Sequence, residues 1–128
     1  MLPITGFLPA TDPRVRSTIN VLAERLTDPC GLVYRYHTET GVDGLAGSEG
    51  TFLLCTFWLA HALALAGRTH QTREVFDRAV AHVNDVGLLA EEIDPASGDQ
   101  LGNFPQAFSH IGLVNAAWAI SQADAARS

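Results

Sequence analysis

"SEGTFLLCTFWLAHALALAGR", residues 48–68, carries Phe52, Leu53, Leu54, Phe57, Trp58, Leu59, Leu63 and Leu65 in one short span. At 3.6 residues per turn these side chains cover nearly the whole circumference of a helix from about Glu49 to Ala66, so that helix needs cover on most sides. Gly67 stands where a helix C-terminus is closed by a left-handed residue. The apolar run ahead of it, residues 51–66, is shorter than the ~20 residues that usually span a bilayer, and it contains His61. A buried helix in a water-soluble domain is the expectation.

Three further helices follow from spacing. Asp12 and Pro13 suit the N-cap and first position of a helix running to about Leu26, with Val15, Ile19, Leu22 and Leu26 on one stripe. Thr69 as N-cap opens a second one-sided helix, which reaches about Val83 or Asn84 through Val75, Phe76, Ala79 and Val80. A last helix from about Pro105 to Ala123 is apolar broadly again, with Phe108, Ile111, Leu113, Val114, Trp118 and Ile120. The order is one-sided, buried, one-sided, buried. This pattern suits an all-α double layer in which amphipathic outer helices back buried inner ones. Four helices, two wanting cover all round, do not supply enough surface to bury themselves. The pattern therefore calls for a homo-oligomer or for further chain.

At 128 residues one domain is expected, and a 47% apolar, 17% charged composition is that of a globular protein. Net charge is −6, and the eight basic residues are all scattered arginines, which excludes the concentrated basic face that nucleic acid requires. No basic segment followed by an apolar one opens the chain, so a cytoplasmic protein without membrane attachment is expected. Cys30 and Cys55 form no CxxC pattern, and the five histidines lack metal-site spacing with carboxylates. The Gly-rich stretch 41–50 matches neither a P-loop nor a dinucleotide fingerprint, and no GxSxG elbow occurs. No metal and no cofactor are expected.

The chemistry-bearing stretch is "GLLAEEIDPASGDQLGNFPQAF", residues 87–108, where Glu91 and Glu92 precede the turn signals Asp94-Pro95 and Ser97-Gly98. A carboxylate beside an apolar wall suits acid or base work because desolvation and neighbours tune it. An adjacent glutamate pair is equally explained by a solvated loop or a cap.

Taken in order, "GLVYRYHTETGVDGLAG", "SEGTFLLCTFWLAHALALAGR" and "GLLAEEIDPASGDQLGNFPQAFSHIGLVNAAW" resemble the C-terminal part of bacterial glycoside hydrolase family 15, the glucoamylase and trehalase-like enzymes. The resemblance runs from about Leu2 to Ile120. It implies a partial (α/α)₆ toroid and an inverting reaction on an α-glucoside or trehalose. In such a reaction one carboxylic acid protonates the leaving oxygen and a second carboxylate activates water, the two about 6.5–9.5 Å apart. The family's base is the first glutamate of a Glu-Glu or Glu-Gln pair, here Glu91, with Glu92 beside it in the pocket wall. The same resemblance makes Glu49, Phe108 and Gln106 candidates for sugar contact. Each has a plainer reading: Glu49 as a first-turn glutamate at a helix dipole, Phe108 as core, and His110 next to it as a hydrogen-bonded core histidine. Trp58 and Trp118 read as packing residues. The family's general acid has no counterpart here, so a chain inactive alone is expected. The alternative is a non-catalytic helical module acting through oligomerisation or a protein partner.

Overall fold

In the computed structural model residues 1–36 and 49–127 are described; most of the Gly-rich stretch lies outside them. Helix α1 spans Pro13–Leu26, α2 Leu53–Leu65, α3 Thr69–Val80 and α4 Ala107–Ala125. Three two-residue strands, β1 (Thr51–Phe52), β2 (Glu92–Ile93) and β3 (Gln100–Leu101), form an antiparallel sheet in the order β1-β2-β3. The chain is thus mostly helical, with four helices among the described residues.

Helix α1 starts where the sequence places it. Asp12 accepts the Arg14 N–H at 2.9 Å, Pro13 occupies the first turn, and Val15 and Ile19 are the buried stripe. The Arg14 side chain also binds Asp12, and these bonds pull the Asp12 carboxyl down to about 2. Helix α2 is the centre of the molecule, with Leu53, Phe57, Ala60 and Leu63 at or near zero exposure. It ends in a Schellman arrangement: Gly67, at φ 73°, donates to the Ala64 carbonyl, and Arg68 donates to that of Leu63. Phe76 of α3 meets Phe57 edge-on, ring centres 5.8 Å apart. Leu89 and Ile93 complete the core between the sheet and α2.

Two expectations need correction. The second helix does not begin at Glu49: Thr51 and Phe52 pair as a strand with Ile93 and Glu92, so Glu49 precedes the sheet and no helix dipole acts on it as a first-turn residue. Helix α4 is apolar all round, but it packs through small residues, Ser109, Gly112, Ala116 and Ala119. A Cβ on Gly112 would lie 3.1 Å from both Leu54 Cδ1 and Phe57 Cβ, so α4 approaches α2 too closely for larger side chains there. The bulky side faces outward: Phe108, Ile111, Val114 and Trp118 are 62, 52, 62 and 66% exposed. Phe108 and Trp118 are therefore not core residues of this chain. Between α1 and α2 lies an apolar groove of about 350 Å³ whose lining includes Val15, Ile19, Leu22, Cys55 and Trp58.

Candidate active site

Glu91 and Glu92 sit where the N-terminal ends of two helices meet the sheet. The backbone leading into them is gripped at almost every polar group. Leu89 donates its N–H to His110 Nε2 at 3.3 Å and accepts from the Gln106 N–H at 2.9 Å. The Ala90 carbonyl accepts the buried Ser109 hydroxyl at 2.8 Å. The Glu91 carbonyl accepts the Leu53 N–H, the first of α2, at 3.1 Å. Because His110 Nδ1 lies 2.7 Å from the Gln106 carbonyl, the ring proton belongs on Nδ1, leaving Nε2 as the acceptor. The first turn of α4 and the start of α2 thus fix the segment that carries the carboxylates into β2, and burial of Leu89 and Ala90 anchors it.

The side chains of the pair lie in different surroundings. Glu91 lies against Gly102 and Asn103: its Oε2 accepts the Asn103 backbone N–H at 3.1 Å and the Asn103 side-chain amide at 2.8 Å. Glu92 lies against Gly50, whose N–H donates to Glu92 Oε2 at 2.9 Å. A Cβ on Gly50 would fall 2.8 Å from the Ile93 carbonyl and 3.1 Å from Glu92 Oε2, so only glycine permits this approach. Burial raises the Glu92 carboxyl above the ordinary value of 4.5, the Gly50 bond opposes that, and the charges of Glu49 and Glu91 add to the rise.

Glu49 forms the outer part of the cluster. Its Oε1 accepts from the Arg35 guanidinium and, at 2.9 Å, from the Tyr36 hydroxyl, while its Oε2 is buried with no partner among the described residues. Arg35 lies over the rings of Tyr36 and Phe52, 4.8 and 4.6 Å from their centres. Gln106 caps α4 by accepting the Phe108 N–H at 3.4 Å, and Phe108 projects from that first turn into solvent.

Of the residues singled out from sequence, Glu92 opens β2 and Glu91 immediately precedes it, Glu49 is close enough to act on Glu92 by charge, and Gln106 caps and Phe108 lies in the first turn of the helix that holds the segment leading into them. Asn103, Arg35 and Tyr36 belong to the same cluster, and no motif or spacing in the sequence singles them out. Among the described residues no group of three or more His, Cys, Asp or Glu could hold a metal ion, and no helix is long and apolar enough to cross a membrane. The apolar groove between α1 and α2 is lined by neither Glu91 nor Glu92.

Chemically, the cluster offers a fixed carboxylate, a second one that is partly desolvated, and an exposed aromatic ring on the adjoining helix turn. Comparison with known proteins gives the same region a family. Residues 1–118 match the description "Glycosyl hydrolases family 15". The chain is 49% identical over 113 residues to a trehalase of Mycolicibacterium smegmatis, covering 88% of this chain and 17% of that protein. It is 47% identical over 116 residues to a trehalase of Mycobacterium tuberculosis (91% and 17%) and 43% over 122 residues to one of Thermoplasma volcanium (95% and 19%). The chain therefore spans less than one fifth of the length of these relatives. No solved structure matches it significantly.

Proposed function

Because this chain belongs to the glycosyl hydrolases of family 15, we propose that it supplies the water-activating wall of an inverting α-glucoside hydrolase, with trehalose as the substrate. The trehalases among its relatives support that choice of sugar. One observation carries the mechanism: Glu91 Oε2 is held by two N–H donors of Asn103, on a segment ahead of β2 that is pinned by α2 and α4. A general base must be held within hydrogen-bond reach of the water it deprotonates. No hydrogen bond among the described residues engages Glu91 Oε1, so that oxygen takes the proton as water attacks the anomeric carbon. The bond to the leaving oxygen breaks as a carboxylic acid on the opposite face protonates it. That acid comes from elsewhere in the toroid, whose neighbouring helices cover the bulky side of α4 and the groove beside α1.

Glu92, partly buried and accepting the Gly50 N–H through Oε2, is suited to serve as a hydrogen-bonding residue of the pocket wall. Glu49, ordered by Arg35 and Tyr36, and Phe108, an exposed ring beside the strand, bear on the sugar as polar and stacking contacts. Gln106 serves by holding the start of α4. The test replaces the matching 113 residues of the Mycolicibacterium smegmatis trehalase with this segment and measures glucose release from trehalose. Glu91→Gln is expected to lower turnover by about 10²–10⁴-fold or more, as loss of a general base does, and Glu92→Gln by less. Near-parental turnover in folded Glu91→Gln would refute the assignment.

The second reading, a non-catalytic helical module, draws on the contiguous exposure of Phe108, Ile111, Val114 and Trp118. A patch of this kind marks a contact surface. In that case the chain alone forms a defined oligomer or heteromer, and Glu91→Gln leaves its behaviour unchanged.

A further inference from the structure

Asn103 and Glu91 are joined by three bonds, not one. Glu91 donates its backbone N–H to the Asn103 carbonyl at 3.0 Å, and Asn103 returns both its backbone N–H and its side-chain amide to Glu91 Oε2. The residue before Asn103 is shaped for the same purpose. Gly102 has φ 72°, and a Cβ there would lie 2.9 Å from Glu91 Oε2 and 3.0 Å from Glu91 Cβ. Conformation and space both require glycine, because the carboxylate occupies the room a side chain would need. The Gly102-Asn103 turn is therefore moulded around one oxygen of one carboxylate. Hairpin closure does not account for this: β2 and β3 are already paired through Glu92–Leu101 and Ile93–Gln100, and the turn between them is closed at Asp94.

We infer that Asn103 is a positioning residue that ties down Glu91 Oε2 and so dedicates Oε1 to the attacking water. The inference rests on Glu91 being the base. A carboxylate bound at one oxygen by two donors cannot turn that oxygen outward without breaking both bonds, each a hydrogen bond to a charged group. Its rotation is restricted before substrate arrives, which is the preorganisation that proton transfer rewards. Asn103 touches no reacting atom in this account, so its removal should affect turnover and leave substrate affinity nearly unchanged.

The experiment compares Asn103→Ala, Asn103→Asp and Glu91→Gln in the segment-bearing trehalase, reading kcat, KM and the pH profile of kcat/KM for trehalose. Asn103→Ala is expected to lower kcat by about 10- to 100-fold, the equivalent of one hydrogen bond to a charged group, with KM within about twofold. Asn103→Asp places a like charge against Glu91 and is expected to move the acid limb of the profile to higher pH, because the base then ionises less readily. A merely structural role would move neither the split between kcat and KM nor the acid limb. In the 128-residue chain itself, the NMR signal of the Asn103 side-chain amide should shift in Glu91→Gln while those of Asn20, Asn84 and Asn115 stay in place. If Glu91→Gln is inactive but Asn103→Ala keeps parental kcat and pH profile, the positioning role is overturned and Glu91 remains the base. If Glu91→Gln itself is fully active, the underlying assignment has failed, and an unmoved Asn103 signal in that variant would reject the clamp as well.

Discussion

Glu91 and Glu92 are neighbours in the chain, yet one lies against Gly102 and Asn103 and the other against Gly50. The separation follows from what packs on each residue: the Gly102-Asn103 turn lies on Glu91, just ahead of β2, and Gly50, just ahead of β1, lies on Glu92 inside it. It gives two like groups two environments, which is the usual way a site assigns different proton behaviour to a pair of carboxylates.

Glu92 should impose a pH signature on stability. Burial raises its folded value above the ordinary 4.5, so the folded chain holds the proton more tightly than the unfolded one. The stability it contributes is full below about 4.5 and is lost as pH rises through the raised folded value. Glu92→Gln, which keeps an acceptor for the Gly50 N–H, should therefore gain in melting temperature relative to the parent at pH 7 to 8 and lose that advantage at pH 4. A difference independent of pH would show that Glu92 is not desolvated.

Gly102→Ala and Gly98→Ala form a matched pair. Both glycines have positive φ, 72° and 77°, but nothing lies within 4 Å of a Cβ on Gly98, whereas one on Gly102 meets the Glu91 carboxylate. Each substitution carries a backbone strain of about 1–3 kcal/mol. Only Gly102→Ala should also depress turnover in the segment-bearing enzyme, by displacing Glu91. Equal activity in the two variants would mean that the room left by Gly102 is not used to place the carboxylate.

Ser109→Ala tests the grip of α4 on the segment that leads into Glu91. The hydroxyl is fully buried and donates to the Ala90 carbonyl at 2.8 Å. Its loss leaves a buried acceptor unpaired and should cost about 1–3 kcal/mol in denaturant unfolding. A change below about 0.5 kcal/mol would indicate that another donor reaches Ala90.

The bulky side of α4 should behave differently in the chain alone and within a longer enzyme. Ile111→Gln with Trp118→Gln replaces side chains that are 52 and 66% exposed. In the isolated chain the double variant should bind less hydrophobic dye and self-associate less, with little change in melting temperature. In the segment-bearing trehalase it should be destabilising, because the toroid reading places neighbouring helices on that side. Equal tolerance in both settings would leave the face uncovered and contradict the toroid reading.

The four helices were legible because their signals are periodic and capped: Asp12 with Pro13, and Gly67 after an apolar run, mark ends that the structure keeps. The sheet was not legible, because its strands are two residues long and a two-residue extension ahead of α2 looks the same as a first helical turn. The orientation of α4 was hidden for a different reason. A helix apolar on all sides does not announce which side packs, and the deciding signal was size: Ser109, Gly112, Ala116 and Ala119 recur at three- and four-residue steps because α2 lies so close. Glu91 and Glu92 could be picked out as chemistry but not told apart by environment, since Asn103 reaches Glu91 across a twelve-residue hairpin and Gly50 reaches Glu92 across 42 residues.

The most direct test of Glu91 as the base is rescue of Glu91→Ala by azide in the segment-bearing trehalase. Azide is already an anion and needs no proton removed before it attacks the anomeric carbon, so it replaces activated water and leaves the acid-assisted departure of the other sugar intact. The account predicts slow hydrolysis of trehalose without azide, and with azide a restored turnover yielding the β-glucosyl azide that attack opposite the α bond produces. Parental hydrolysis by folded Glu91→Ala without azide would contradict it.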